Sequence, residues 1–195
     1  MQFLELAESR CTTRGFLEKK LSESDLTYIL EAGRMAPTAC NRQPQRIIVA
    51  SSEHALNEVK KAYNTFGAPV VLIVCQDRTD PLIRPFDGKC SGDLDIGIVC
   101  DHMMLAARER GIGSVMVGLF DPEIIRGGFD IPPEFEVTAL LILGYPAEDF
   151  ADLLKRKRRK PLGQTVMFEK AGTAGDVPLE DNSTDNRIHL VFSEQ

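Results

Sequence analysis

Residues 95–110 read DIGIVCDHMMLAARER and are followed by Gly111. The stretch has the length of a helix, is apolar on most of its circumference and ends at a glycine, the usual residue after a helix C-terminus. A helix that is apolar on nearly all sides must be enclosed by other elements. We therefore predict a central, buried helix around which the rest of the chain packs.

The segments on both sides of this helix alternate between strand patterns and helix patterns. Two continuous apolar runs, PVVLIVC at 69–75 and VTALLIL at 137–143, are typical of strands buried in a core. Capping residues and the period of apolar positions predict four further helices. The shorter predicted elements are strands at 46–50 and 114–117 and helices at 2–8, at 22–35, at 52–63 and from Asp121-Pro122 onward. We therefore expect one domain, followed by a polar arm.

Composition and charge narrow the class of protein. The 195 residues carry a net charge of -6, which argues against a general nucleic-acid or anionic-membrane binder, because such proteins usually carry a basic surplus. Five cysteines with no CxxC pair indicate reduced thiols. The first ten residues do not have the pattern of a secretory signal, and no apolar stretch has the length of a membrane span. We therefore expect a cytoplasmic protein with no nucleic-acid and no membrane partner.

Most familiar catalytic patterns are missing from the sequence. The three histidines, at 54, 102 and 189, are too scattered for a metal site. There is no GxSxG, no P-loop and no GxGxxG, and the Gly-Ile-Gly at 111–113 precedes a strand, whereas the dinucleotide fingerprint follows one. We therefore predict no metal site and expect neither a hydrolase nor a Rossmann dehydrogenase.

Three polar segments remain as candidates for a binding site. In Arg10-x-Thr12-x-Arg14 an extended backbone would point alternate side chains to one side, where two guanidiniums and a hydroxyl suit a phosphate or a carboxylate. The loop APTACNRQP at 36–44 offers carboxamides that suit the edge of a heteroaromatic ring. The third segment is the basic run KRKRRK at 155–160. Taken singly, the segments also fit surface charges, a turn that satisfies its own backbone, and a solvated basic face or a patch for a polyanion.

Taken together and in order, the motifs resemble those of the flavin-dependent nitroreductase family over nearly all of residues 1–165. The first loop matches the family's Arg-x-Ser-x-Arg/Lys, and the second matches its Ala-Pro-Ser-x-x-Asn-x-Gln-Pro-Trp. Further matches follow at 106–113 (AARERGIG), 118–120 (GLF), 131–132 (IP), 143–146 (LGYP) and 159–162 (RKPL). The resemblance implies an α+β fold: a three-layer α/β/α sandwich with a mixed, mainly antiparallel central sheet over residues 1–168. Residues 169–195 would form a C-terminal arm that could pack on a partner subunit.

The resemblance also implies a cofactor and an assembly. FMN would be bound at the interface of an intertwined homodimer, so that each site takes residues from both chains. Four residues would hold the phosphate and ribityl end, namely Arg10, Thr12, Lys157 and Arg159. Cys11 joins the predicted cofactor-binding residues at a position where many relatives carry a second arginine.

Further residues would surround the flavin ring. The resemblance places Arg14 near the pyrimidine edge, and backbone groups around Val117 and Gly118 at the flavin N5 edge. The partner chain would line the ring with three residues of the second loop, Pro37, Thr38 and Asn41. The chain departs from the family at Gln45, where the family has tryptophan.

The activity that the resemblance implies is electron transfer from NADH or NADPH, by way of FMN, to a small oxidised acceptor such as a nitroaromatic or a quinone. No side chain would act as an acid, a base or a nucleophile, and Arg14 would stabilise the anionic reduced flavin. Nicotinamide and acceptor would use the same place in turn, which predicts ping-pong kinetics. A protein that stores or delivers flavin without useful turnover is the alternative.

Overall fold

The structure, a computed structural model, describes residues 2–168, 170 and 171. The chain divides after Arg156: Met1–Arg156 is the first unit, and the described residues from Lys157 onward belong to the second. The predicted division into a domain at 1–168 and an arm at 169–195 stays a prediction, because most of the arm, including its apolar segment at 188–192, lies outside the described residues.

The described residues of the first unit contain six α-helices and four strands. In chain order these are α1 (Phe3–Ser9), α2 (Glu23–Arg34), β1 (Gln45–Ala50), α3 (Glu53–Ala62), β2 (Val70–Asp77), α4 (Gly92–Glu109), β3 (Gly113–Val117), α5 (Pro122–Gly128), β4 (Phe135–Gly144) and α6 (Phe150–Lys155). Short 3-10 helices lie at Ala39–Asn41 and, in the second unit, at Leu162–Gln164.

The four strands form one sheet in the order β1-β2-β4-β3. All three strand pairs are antiparallel, with Ala50 opposite Val71 in the first pair and Gly113 opposite Gly144 in the last. The only parallel pairing in the described residues is an isolated bridge between Thr12 and Ser114. The prediction of a mainly antiparallel sheet is confirmed.

Helices cover both faces of the sheet, as the predicted three-layer sandwich requires. On one face α2 and α4 pack on the even-numbered side chains of β2, such as Leu72, and on Leu141 of β4. On the other face α3 and α5 pack on Ile73 and Leu140, which point the opposite way because side chains alternate along a strand. Both central strands are therefore buried on their two faces, which explains their continuous apolar runs.

The predicted central helix is α4, which begins three residues earlier than the sequence indicated. Its side chains Ile96, Val99, Cys100 and Met103 are fully buried. Fully burying an aliphatic side chain of this size contributes about 1.5–3 kcal/mol. Helix α2 lies close against α4 because Gly33 has no side chain, and a Cβ there would come within 2.8 Å of Met103 Cγ.

The predicted starts of α2, α3 and α5 are confirmed by their side-chain caps. Ser22 accepts a hydrogen bond from the amide of Asp25 at 3.1 Å, and Ser52 accepts one from Ala55 at 3.1 Å. Asp121 accepts from the amide of Glu123 at 3.0 Å. Helix α6, which precedes the basic run, was not predicted. None of the helices in the described residues combines the length and the hydrophobicity of a membrane-spanning segment.

Candidate functional site

The first polar loop, residues 10–14, is extended beside the start of β3. Its side chains alternate: Thr12 and Arg14 are exposed and Arg10 is half-buried. Between them, Cys11 and Thr13 are only 4% and 1% exposed. This alternation of burial agrees with the prediction that residues 10, 12 and 14 face the same side, away from the core. The side chain of Cys11 lies on the opposite, buried side, so its predicted role in binding a cofactor would fall to its backbone.

Two contacts hold this loop on the sheet. The amide of Thr13 donates to the carbonyl of Ser114 at 3.0 Å, which places the loop along the outer edge of β3. The side chain of Thr13 fills the space above Gly113, where a Cβ would come within 2.6 Å of its Oγ1. Burial of every second residue thus fixes which side chains the loop presents to solvent.

The second polar loop, residues 36–44, has an unusual backbone. Cys40, Asn41 and Gln43 all adopt left-handed conformations, with φ of 50°, 54° and 51°. Asparagine accepts this conformation readily, whereas cysteine and glutamine rarely do. Thr38 stabilises the turn, because its Oγ1 accepts a hydrogen bond from the amide of Gln43 at 3.0 Å. The hydroxyl predicted to face a cofactor is therefore also part of the loop's own hydrogen bonding.

A buried carboxylate ties the second loop to the central helix. Asp95, in the first turn of α4, is 3% exposed. Its Oδ1 accepts a hydrogen bond from the amide of Ala39 at 2.9 Å, and its Oδ2 accepts one from the hydroxyl of Ser91 at 3.1 Å. Sequence reasoning treated Asp95 only as the start of an apolar helix. Ser91, four residues before Asp95 in the chain, was the one local sign of a buried hydrogen bond.

Further contacts fix the other end of the second loop. The amide of Asp77, at the end of β2, donates to the carbonyl of Pro44 at 2.8 Å. Hydrogen bonds from the hydroxyl and amide of Thr79, and then the nearby Arg46, hold the pKa of Asp77 below its usual range. Arg42 forms an ion pair with Asp80. The loop is thus joined at both ends to the core of the unit.

The end of β3 offers an approachable backbone. Val117, its last residue, is buried, and Gly118 is exposed. Among the described residues, no atom other than its chain neighbours lies within 4 Å of the point that a Cβ of Gly118 would occupy. A flat ligand could therefore come into direct contact with the backbone at this position.

The two loops lie at opposite ends of the first unit. Asp95 of α4 contacts the second loop, and Arg108 of α4 donates to the carbonyl of Ser9, next to the first loop, at 3.0 Å. At a rise of about 1.5 Å per residue, positions 95 and 108 are separated by about 20 Å. Strand β4 gives a similar separation. Its residue Phe135 is opposite Asp77, which binds the second loop, and its residue Leu143 is opposite Ser114, which binds the first loop. These two positions of β4 are about 26 Å apart. One chain therefore does not bring Arg10 to Arg14 together with Pro37, Thr38 and Asn41.

The predicted cations of the basic run belong to the second unit. Lys157 is half-buried and Arg159 is exposed. The guanidinium of Arg159 donates to the carbonyl of Arg158 at 2.8 Å. Their predicted role in holding a phosphate stays a prediction.

The cysteines differ in their capacity to react. Burial raises the pKa of Cys75 to about 11, and burial together with the nearby Asp101 raises the pKa of Cys100 to about 12. Both thiols therefore stay protonated at neutral pH. Cys40, in the second loop, is exposed.

A shallow depression of about 750 Å³ lies at the start of α2. Its lining includes two serines, two glutamates and one cation, Arg110, whose guanidinium is stacked 4.0 Å from the ring of Tyr28. None of the residues that line it belongs to the two loops or to the end of β3, where we place the candidate site. Within the described residues, no three side chains of the metal-binding types lie close enough together to hold an ion.

Known proteins share both the sequence and the fold. The sequence model of the nitroreductase family matches residues 7–65 and 57–145. A relative from Archaeoglobus fulgidus, provisionally named NADH dehydrogenase/NAD(P)H nitroreductase, is 31% identical over 157 residues, which cover 75% of this chain and 86% of that protein. A nitroreductase family protein from Clostridium difficile 630 has a crystal structure with 40% identity and a TM-score of 0.83, covering 88% of this chain and 100% of its own.

A second crystal structure, described as an oxidoreductase containing FMN, has a TM-score of 0.71 at 24% identity and covers 85% of this chain and 90% of its own. At that identity it supports the fold alone. The family match spans most of the described first unit, and the Archaeoglobus relative covers three quarters of the chain. The chain therefore belongs to the nitroreductase family of oxidoreductases.

Proposed function

We propose that the protein is an FMN-dependent oxidoreductase that passes electrons from NADH or NADPH to a small oxidised acceptor, such as a nitroaromatic or a quinone. The observation that carries the proposal is the row of side chains at 10, 12 and 14, presented on one side of an extended segment along β3. The exposed backbone of Gly118 lies at the other end of the same strand. The name of the Archaeoglobus relative supports a nicotinamide substrate.

The chemistry of the donor set fits FMN. A phosphate monoester carries nearly two negative charges at neutral pH and needs several cations or amides to bind it. In a chain of net charge -6, such a ligand requires a local basic cluster. We assign this role to Arg10 with Thr12, and to Lys157 and Arg159 of the basic run.

Arg14 is the residue that we assign to the redox step. Bound FMN would supply the hydride chemistry, so no side chain needs to act as an acid, a base or a nucleophile. A guanidinium near the pyrimidine edge favours the reduced, anionic form of the ring electrostatically. The exposed position of Arg14, two residues beyond Thr12 on the same side of the loop, suits this contact.

We further propose that the working unit is a homodimer in which each FMN site takes its phosphate-binding loop from one chain and its ring-lining loop from the other. The separation of about 20 Å along α4 supports this, because one ring cannot contact both loops of one chain. Exposed apolar side chains also suit burial against a second copy: Phe3 is 72% exposed, Leu4 59% and Met35 68%.

A mixed dimer tests the shared site. When a chain carrying Arg10→Ala is co-expressed with a differently tagged chain carrying Asn41→Ala, one of the two sites receives both substitutions and the other receives neither. The doubly tagged dimer should therefore bind about half the FMN of the wild-type dimer, while each variant alone binds little. If the mixed dimer binds no more FMN than either variant, the loops of one site come from the same chain.

The first experiment on function is the absorption spectrum of the purified protein, because bound flavin colours it yellow. Arg10→Ala combined with Arg159→Ala should give a colourless protein. Arg34→Ala combined with Arg78→Ala is the matched control: it removes the same charge from two exposed arginines that pair with Glu31 and Glu136. Full flavin occupancy in the first double variant would remove the phosphate assignment.

Steady-state kinetics distinguish the enzyme from a flavin-storage protein. The enzyme should give parallel lines in double-reciprocal plots of NADPH or NADH oxidation against acceptor, as ping-pong kinetics require. If the yellow protein oxidises either nicotinamide no faster than free FMN does, storage or delivery of flavin is the better explanation. We also propose a cytoplasmic location, supported by five cysteines present as thiols.

A further inference from the structure

Asp95 is an acidic residue in a buried position. It lies in the first turn of α4 with 3% of its surface exposed. Burying a carboxylate is unfavourable unless its oxygens accept hydrogen bonds. Asp95 has two such bonds, from the amide of Ala39 at 2.9 Å and from the hydroxyl of Ser91 at 3.1 Å. One bond is local to the helix start, and the other reaches a distant loop.

The loop that it reaches requires external support. Three residues of this loop, Cys40, Asn41 and Gln43, have left-handed backbones. In cysteine and glutamine such conformations persist only where surrounding contacts over-determine them. Within the loop, the amide of Asn41 donates to the carbonyl of Thr38 at 2.9 Å. Hydrogen bonds within the loop close the turn but do not attach it to the core.

The bond from Ala39 attaches this turn to a rigid element. Ala39 is the first residue of the 3-10 helix Ala39–Asn41, so its amide has no partner inside that helix. Asp95 satisfies this donor with its Oδ1. This bond therefore fixes the position of Thr38 and Asn41 relative to α4, the most buried helix of the unit.

We propose that Asp95 is a positioning residue for the cofactor site: through the amide of Ala39 it holds the second loop in the conformation that lines the flavin ring. The proposal rests on the proposed FMN function for its consequence, but its structural part can be measured without flavin. Asp95 acts through the loop and does not itself touch a ligand.

Three variants separate the two hydrogen bonds. Asp95→Ala removes both. Asp95→Asn keeps an oxygen for the amide of Ala39, and its amide group can donate to Ser91, so it is the conservative rescue. Ser91→Ala is the matched control, because it removes only the bond local to the helix start.

Amide exchange in the flavin-free protein measures the loop directly. In wild type the Ala39 amide should exchange at least tenfold more slowly than in an unstructured peptide of the same sequence. Asp95→Ala should remove this protection, while Asp95→Asn and Ser91→Ala retain it. An unprotected Ala39 amide in wild type would overturn the proposal, and this measurement does not depend on whether the alanine variant folds.

FMN binding measures the consequence. Asp95→Ala should weaken FMN binding at least tenfold and, at saturating FMN, shift the absorption bands of the bound flavin toward those of free flavin. Asp95→Asn should restore both, which a general loss of stability would not explain. If Ser91→Ala weakens FMN binding as much as Asp95→Ala does, Asp95 acts on the helix start. If Asp95→Ala binds FMN like wild type, the loop needs no such support. Either result overturns the proposal. If wild type itself binds no FMN, the proposed function fails, and the exchange data still decide whether Asp95 holds the loop.

Discussion

Replacing Gly113 with alanine tests how the first loop is held on the sheet. Gly113, the first residue of β3, is paired with Gly144, the last residue of β4. Residues 13–16 lie over this pair: a Cβ at 113 would come within 2.6 Å of Thr13 Oγ1 and 2.9 Å of its Cβ. A Cβ at 144 would come within 2.9 Å of Phe16 Cδ1. The two glycines therefore provide the space that the side chains of Thr13 and Phe16 occupy.

The expected cost of Gly113→Ala follows from the surroundings of Thr13. Its side chain is 1% exposed, so it cannot swing into solvent to make room. Overpacking of this kind costs about 1–3 kcal/mol, and a Gly→Ala change returns about 0.4–1 kcal/mol by restricting the unfolded chain. We therefore expect the free energy of unfolding to fall by about 1–2 kcal/mol, and the Tm by a few degrees.

Chemical denaturation of purified variants measures this change, with Gly97→Ala as the control. Gly97 lies within α4, and in the described residues a Cβ there would meet nothing within 4 Å. The control should be more stable than wild type by about 0.5–1 kcal/mol, because glycine is unfavourable inside a helix. Adding Thr13→Ala to Gly113→Ala removes the Oγ1 and Cγ2 contacts and should recover part of the loss. If Gly113→Ala is as stable as wild type, the close packing of the loop on the glycine pair is wrong.

Three further predictions concern the hydroxyl of Thr13, the carboxyl of Asp77 and the thiols. Thr13→Val should raise the free energy of unfolding by about 1 kcal/mol, because the buried Oγ1 has no hydrogen-bond partner in the described residues; a decrease in chemical denaturation would contradict this. The pKa of Asp77 is lowered in the folded protein, so wild type should exceed Asp77→Asn in stability at pH 7. That advantage should shrink in urea titrations as the pH falls below about 4, and a constant difference down to pH 3 would refute the assignment. A thiol reagent should modify Cys40 before Cys75 and Cys100, whose pKa values burial raises to about 11 and about 12. Peptide mapping that finds either buried thiol modified before Cys40 would contradict this order.

The sequence predicted the elements whose signal is local. Strands β2 and β4 were found because a strand buried on both faces must be apolar at every position. Helices α2, α3 and α5 were found because a capping side chain stands directly before each. Helix α6 was missed because it has only six residues, and its single buried side chain, Leu153, gives no period. The order of strands was not readable from these patterns, since it depends on pairings between distant segments.

The site, like the fold, was only partly predictable from the sequence. The alternation of side chains at 10, 12 and 14 follows from an extended backbone, which the sequence suggested. The left-handed backbones of Cys40 and Gln43 could not be inferred, because their residue types disfavour that conformation. Asp95 was missed because an acidic residue in the first turn of a helix is common for its effect on the helix dipole alone.

Helix α4 joins the fold to the geometry of the site. Its apolar face fixes the core, while two polar side chains near its ends hold the two loops: Asp95 binds the amide of Ala39, and Arg108 binds the carbonyl of Ser9 and stacks 3.8 Å from the ring of Phe150. A rigid helix keeps these anchors about 20 Å apart. Removing one residue between them would turn the remainder of the helix by about 100°, so that one anchor would face away from its loop. The length of this helix is therefore constrained by both loops at once, in addition to the packing of its apolar face.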